Sequence, residues 1–123
     1  MREVVLAALE DAKGERVCVL DVRALTDITD YMIIATGASD RHAATLAERV
    51  LERMKAAGWR HLGLEGLEPS GARDWVLVDF VDVVVHIMRA QTRERYDLES
   101  LWDESLSALL AEPDAARQQA AES

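Results

Sequence analysis

The chain has 123 residues, half of them hydrophobic and 30% charged, a composition that excludes collagen-like, fully disordered and disulfide-scaffold proteins. That length suits one domain able to fold without a metal or a disulfide. Acidic residues number 23 against 14 Lys and Arg, and the net charge of −9 excludes a protein whose main task is gripping nucleic-acid phosphates while suiting a basic partner.

The single cysteine, Cys18, has no internal disulfide partner, and no apolar run reaches the roughly 20 residues of a bilayer crossing. Met1-Arg2-Glu3 opens neither a secretory signal nor a transit peptide, so a cytoplasmic location with no membrane association is expected. Val5, Leu6, Ala8, Leu9 and Ala12 stand at helical spacing and predict a helix over 2–13, with Gly14 as its left-handed cap. The β-branched run 17–22 predicts a buried strand, and 31–36 a second one beyond the polar connection of Asp27, Thr29 and Asp30. Gly37-Ala38-Ser39-Asp40 is a turn with two candidate helix N-caps. Ala43, Leu46, Ala47, Val50, Leu51 and Met54 then form one apolar helix face; Arg49, Arg53 and Lys55 complement the C-terminal dipole, and Gly58 ends the helix.

A short strand is predicted over 59–65 and a Gly/Pro loop over 66–73. Strands over 75–80 and 83–89 follow, separated only by Val81 and Asp82, which makes them an antiparallel hairpin on a poor turn sequence. A helix over 92–101 closes on Trp102, its Leu98 and Leu101 packing on the sheet. The fold class is therefore α/β, a single mixed sheet of about five strands packed with helices. It occupies 1–104, and a polar, alanine-rich tail interrupted by Pro113 takes 105–123.

Little in the chain supports chemistry. His42, His61 and His86 are scattered and lack metal-ligand spacing, so no metal and no cofactor is expected. Cys18 sits mid-strand as a small hydrophobe, and no nucleophile elbow or nucleotide-binding glycine motif occurs. A strand ending in Thr36-Gly37-Ala38-Ser39 and opening a helix resembles the phosphate-cradling turn of nucleotidyltransferases. Those enzymes need paired carboxylates for two metals, and here only Asp79 and Asp82, much later, are on offer. The enzymatic alternative is a nucleotidyltransferase-like enzyme with unusual metal ligands; the expectation is no enzyme.

Three blocks carry a family resemblance. The run LTDITDYMIIATGASDRH at 25–42, the pair DWVLVD at 74–79 and VVVHIM at 83–88, and the run RERYDLESLW at 93–102 together resemble, in order and spacing, the ribosomal silencing factor family, also called Iojap-related. The resemblance implies a nucleotidyltransferase-like fold without that activity. It also implies a bacterial translational repressor that binds the large ribosomal subunit at its protein uL14 and sterically prevents joining of the small subunit. An assembly factor for the large subunit is the neighbouring alternative, direct sequence-specific nucleic-acid binding is not expected, and a homodimer is left open for the free chain. Strand alternation puts Trp75, Leu77 and Asp79 on one side, and Val84, His86 and Met88 share a face. A large aromatic ringed by polar groups makes Trp75, Asp79 and His86 the centre of a candidate docking face, with Met88, Tyr96 and Trp102 beside it. Asp30 and Thr36 are read as ordering the strand-to-helix passage.

Overall fold

Strand alternation and helical periodicity resolve into α1 (Arg2–Asp11), β1 (Glu15–Asp21), β2 (Tyr31–Gly37), α2 (Asp40–Ala56), β3 (Gly63–Glu65), β4 (Trp75–Asp79), β5 (Val83–Arg89) and α3 (Ala90–Tyr96). The structure, a computed structural model, describes residues 1–67 and 74–98. Five strands form one mixed sheet in the order β1-β2-β5-β4-β3, as the α/β reading expects. The central pair β2/β5 is parallel, running from Tyr31↔Val83 to Gly37↔Arg89, and the other pairs are antiparallel.

One face of the sheet holds the main core. Ile33 and Ala35, Val76 and Val78, and Val83, Val85 and Ile87 meet Val5, Ala8 and Leu9 of α1 and Ala43, Leu46, Ala47, Val50 and Met54 of α2. Each large aliphatic side chain buried here contributes roughly 1.5–3 kcal/mol. Truncating Leu46, which is fully buried at that seam, would cost about 2–5 kcal/mol. α2 starts because Ser39, extended at φ −150°, accepts the His42 N–H on its Oγ at 3.0 Å. It ends in a Schellman turn, with Gly58 at φ +95° and the Trp59 N–H reaching the Met54 carbonyl at 2.9 Å. His42 also ties the helices together: its Nδ1 accepts the Ala38 N–H and its Nε2 lies 2.9 Å from the Ala12 carbonyl. Arg49 and Arg53 both reach Asp11 across the same seam.

Several expectations need correction. β1 is not buried: it is an edge strand, irregular between Glu15 and Cys18, and Val17 and Val19 are each 37% exposed because only β2 flanks them in the sheet. The left-handed cap of α1 is Lys13 (φ 62°), one residue before Gly14. Gly14 serves instead as a close approach, since a Cβ there would sit 3.3 Å from Leu46 Cδ2. Only Gly63–Glu65 of the predicted 59–65 strand pairs with a neighbour. α3 starts straight after β5, two residues before the predicted 92, and is interrupted at Asp97, which turns left-handed (φ 44°); 99–101 of the predicted helix lie outside the described residues. Leu98 does pack on the sheet, whereas Leu101 and the tail 105–123 lie outside the described residues.

Candidate docking face

The second face of the sheet follows from the same alternation. Register places three rows across β2, β5 and β4: Thr36–Met88–Trp75, Ile34–His86–Leu77 and Met32–Val84–Asp79. Val22, Met32, Ile34 and Met88 form a small second core, with Leu20, Trp75 and Leu98 packed against it. Each row carries one polar group: Thr36 at one end, His86 in the middle and Asp79 at the other.

Its aromatic end is tightly specified. Trp75 donates its indole N–H to His86 Nδ1 at 3.0 Å. An indole nitrogen can only donate, so Nδ1 is the acceptor and a neutral ring carries its proton on Nε2. That Nε2 is buried and has no hydrogen-bond partner among the described residues. His86 is 6% exposed, and burial alone pushes its pKa down to about 4, so it is neutral at pH 7. Tyr96, 53% exposed, tilts onto Trp75 with ring centroids 4.8 Å apart and planes at 52°. Behind this pair the buried Arg93 donates to Thr36 Oγ1 at 2.9 Å, and Thr92 donates to Asp74 at 3.3 Å, which pins α3 to the sheet.

The six sequence-derived candidates therefore separate. Trp75, His86, Met88 and Tyr96 come together, but only Trp75 and Tyr96 present surface; Met88 is fully buried and His86 nearly so. His86 and Met88 thus support the face from below, because the indole and α3 cover them. Asp79 stands four residues along β4, about 13 Å from Trp75, and its carboxylate accepts the Val81 N–H at 2.8 Å. Trp102 lies outside the described residues. Sequence reasoning missed Arg93 as a buried residue; an arginine on a short polar helix carries no local signal that Thr36, far away in sequence, will receive it. Thr36, read as ordering the strand-to-helix passage, accepts the Arg93 guanidinium on its Oγ1. Asp30 contributes its backbone N–H, which donates to the Asp82 carbonyl at 3.0 Å.

The carboxylates considered for metal chemistry are divided in the same way. Thr36-Gly37-Ala38-Ser39 stands at the C-terminal ends of β2 and β5, whereas Asp82 meets Asp30 and Tyr31 at the start of β2. A seven-residue strand, roughly 20 Å, separates the turn from Asp79 and Asp82. Among the described residues no three His, Cys, Asp or Glu side chains are grouped to hold a metal ion. Among the same residues, no helix is long and apolar enough to cross a membrane.

Comparison with known proteins agrees with these elements. A Chromobacterium violaceum protein named ribosomal silencing factor RsfS is 46% identical over 100 residues, covering 81% of this chain and 80% of that one. The mouse protein named mitochondrial assembly of ribosomal large subunit protein 1 is 31% identical over 115 residues, covering 89% of this chain and 50% of the mouse chain. A crystal structure of a Chromobacterium violaceum protein superposes with a TM-score of 0.79 at 43% identity, covering 83% of this chain and 82% of that one. The family model described as ribosomal silencing factor during starvation matches residues 1–123, and the chain belongs to that family.

Proposed function

We propose that the protein is a translational repressor that binds the large ribosomal subunit through uL14 and blocks joining of the small subunit by occupying the contact. The observation that carries this reading is the partly exposed aromatic pair Trp75–Tyr96, its indole hydrogen-bonded to His86 beneath, in a chain of the ribosomal silencing factor family. Aromatic side chains whose orientation is set in advance lose little entropy on binding and dominate interface energetics. The net charge of −9 supports a basic protein partner. The repressor acts in the cytoplasm and catalyses nothing; the separation of the Thr36–Ser39 turn from Asp79 and Asp82 supports a non-enzymatic role.

Occlusion requires occupancy alone. Bound at about 100 times its dissociation constant, the protein would oppose subunit joining by roughly 2.7 kcal/mol. Light scattering during subunit mixing tests this directly. Inhibition should be stoichiometric with large subunits and stronger when the protein is added before the small subunits. The name of the mouse relative favours a second reading, assembly of the large subunit. Binding to large subunits with joining at the uninhibited rate and extent would select that reading.

A further inference from the structure

Opposite the aromatic end, the sheet finishes in a rim that carries large exposed side chains among the described residues. The β4–β5 turn is closed by Phe80 N–H to Val83 carbonyl (2.9 Å) and by Asp82 N–H to Phe80 carbonyl (3.0 Å), with Val81 between them at φ +76°. That is the rare γ-turn geometry, and glycine is the residue that adopts it without strain. A β-branched side chain stands there instead and is 51% exposed. On one side the Leu62 N–H donates to the Asp79 carbonyl at 2.7 Å, and Leu62 is 74% exposed. On the other side Asp30 and Tyr31 donate to the Asp82 carbonyl, and Ile28, two residues before Asp30, is 83% exposed. Along the edge the order is therefore Leu62, Val81, Ile28, three large aliphatic side chains facing water at one end of the sheet.

Carboxylates surround them. Asp27, Asp30, Asp79 and Asp82 occupy the same rim, and among the described residues none of them forms an ion pair. Cations stand there too: Arg2 lies over the Tyr31 ring at 4.4 Å, Arg23 lies over that ring at 5.3 Å and pairs with Asp21 at 2.6 Å, and the exposed Arg60 precedes Leu62 by two residues. Isolated apolar residues on a surface require no explanation, but several along one rim among carboxylates that outnumber the nearby cations have the make-up of a docking patch.

We propose that this rim is a second contact surface, and that it takes a Lys/Arg-rich polypeptide segment of the large subunit which runs along the edge and lays apolar side chains against Ile28, Val81 and Leu62 in turn. The inference rests on the large subunit being the target. Charge decides between the macromolecules there: unpaired aspartates attract a basic segment and repel RNA phosphates.

The test compares full-length wild type with an Ile28→Ser, Val81→Gly variant for binding to purified large subunits. Glycine suits the left-handed turn, so Val81→Gly alone should leave the melting temperature unchanged or raise it, which shows that the fold survives. The double variant should lose about tenfold or more in affinity. Asp27→Asn, Asp82→Asn should flatten the salt dependence of association. A photoreactive amino acid at Ile28 should crosslink to a ribosomal protein. Undiminished binding by the double variant overturns the proposal, as does a crosslink to rRNA or to a second copy of the chain. Wild type that ignores large subunits altogether defeats the proposed function as well, whereas wild-type binding that survives Ile28→Ser, Val81→Gly but is lost in Trp75→Ala defeats only the rim.

Discussion

Protonating His86 should unfold the protein from its second core outward. In the folded chain the ring is 6% exposed, its Nδ1 is occupied by the Trp75 N–H, and burial holds its pKa near 4, against 6.5 for an unperturbed histidine. Because the folded value is the lower one, the unfolded chain binds the extra proton first. Stability contributed by the neutral ring is therefore complete above pH 6.5 and is lost progressively as pH falls toward 4. The gap between 6.5 and about 4 corresponds to roughly 3 kcal/mol in full, of which roughly 2.5 kcal/mol should be gone at pH 4.5. Urea unfolding followed by tryptophan fluorescence at pH 7.5 and 4.5 measures this as a midpoint shift of about 1–2 M. Carboxylates titrate over part of the same range, so the quantity to read is the difference from His86→Gln, which can still accept the indole N–H and does not titrate. His86→Gln should lose most of the pH dependence. An identical slope in the two proteins would show that the ring is not held neutral by burial, and the account of the aromatic end would fail with it.

Other substitutions probe separate elements. Trp75→Ala should reduce affinity for large subunits about thirtyfold while circular dichroism still reports a folded domain, since truncating an aromatic anchor typically costs at least about 2 kcal/mol; an unchanged affinity would remove Trp75 from the docking face. Gly66→Ala should cost several kcal/mol in chemical denaturation, because at φ +93° a Cβ would stand 2.2 Å from the Trp75 carbonyl oxygen. Gly58→Ala, at φ +95° with open space around it, should cost only about 1 kcal/mol, and equal losses at the two sites would contradict the steric argument. Lys13→Gly should raise stability by up to about 1 kcal/mol, because Lys13 holds the left-handed position of the α1 cap at φ 62°.

What the sequence discloses about this fold is mainly periodicity. The face of α2 from Ala43 to Met54 and the inward series Val76, Val78 and Val83, Val85, Ile87 are legible because strand and helix repeats differ and both were long enough to count. The 17–22 run is apolar enough to suggest a buried strand; only the sheet order, which sequence periodicity does not encode, puts it at the edge. The α1 cap moved by one residue because a Schellman turn tolerates a lysine when the following glycine is needed for contact with Leu46. At the docking face the alternation placed Trp75, His86 and Met88 on one side correctly. It could not show that the indole would lie over His86, nor that Arg93 would be buried against Thr36, since both depend on how α3 returns across the sheet.

The parallel contact between β2 and β5 also sets the order in which the chain can fold. Both flanking hairpins, β1–β2 and β4–β5, are local, whereas Tyr31 must find Val83 across about fifty residues of intervening chain. Closing such a loop is the slow step in topologies of this kind. During synthesis, at ~5–20 residues per second, β2 waits roughly 3–10 s with one edge unpaired before Arg89 is made. For that interval Ile33 and Ile34 belong to an open strand, and α2, completed soon after β2, is the element placed to shelter Ile33 until the partner arrives. A newly made chain therefore passes through its most aggregation-prone state while it is still attached to a ribosome.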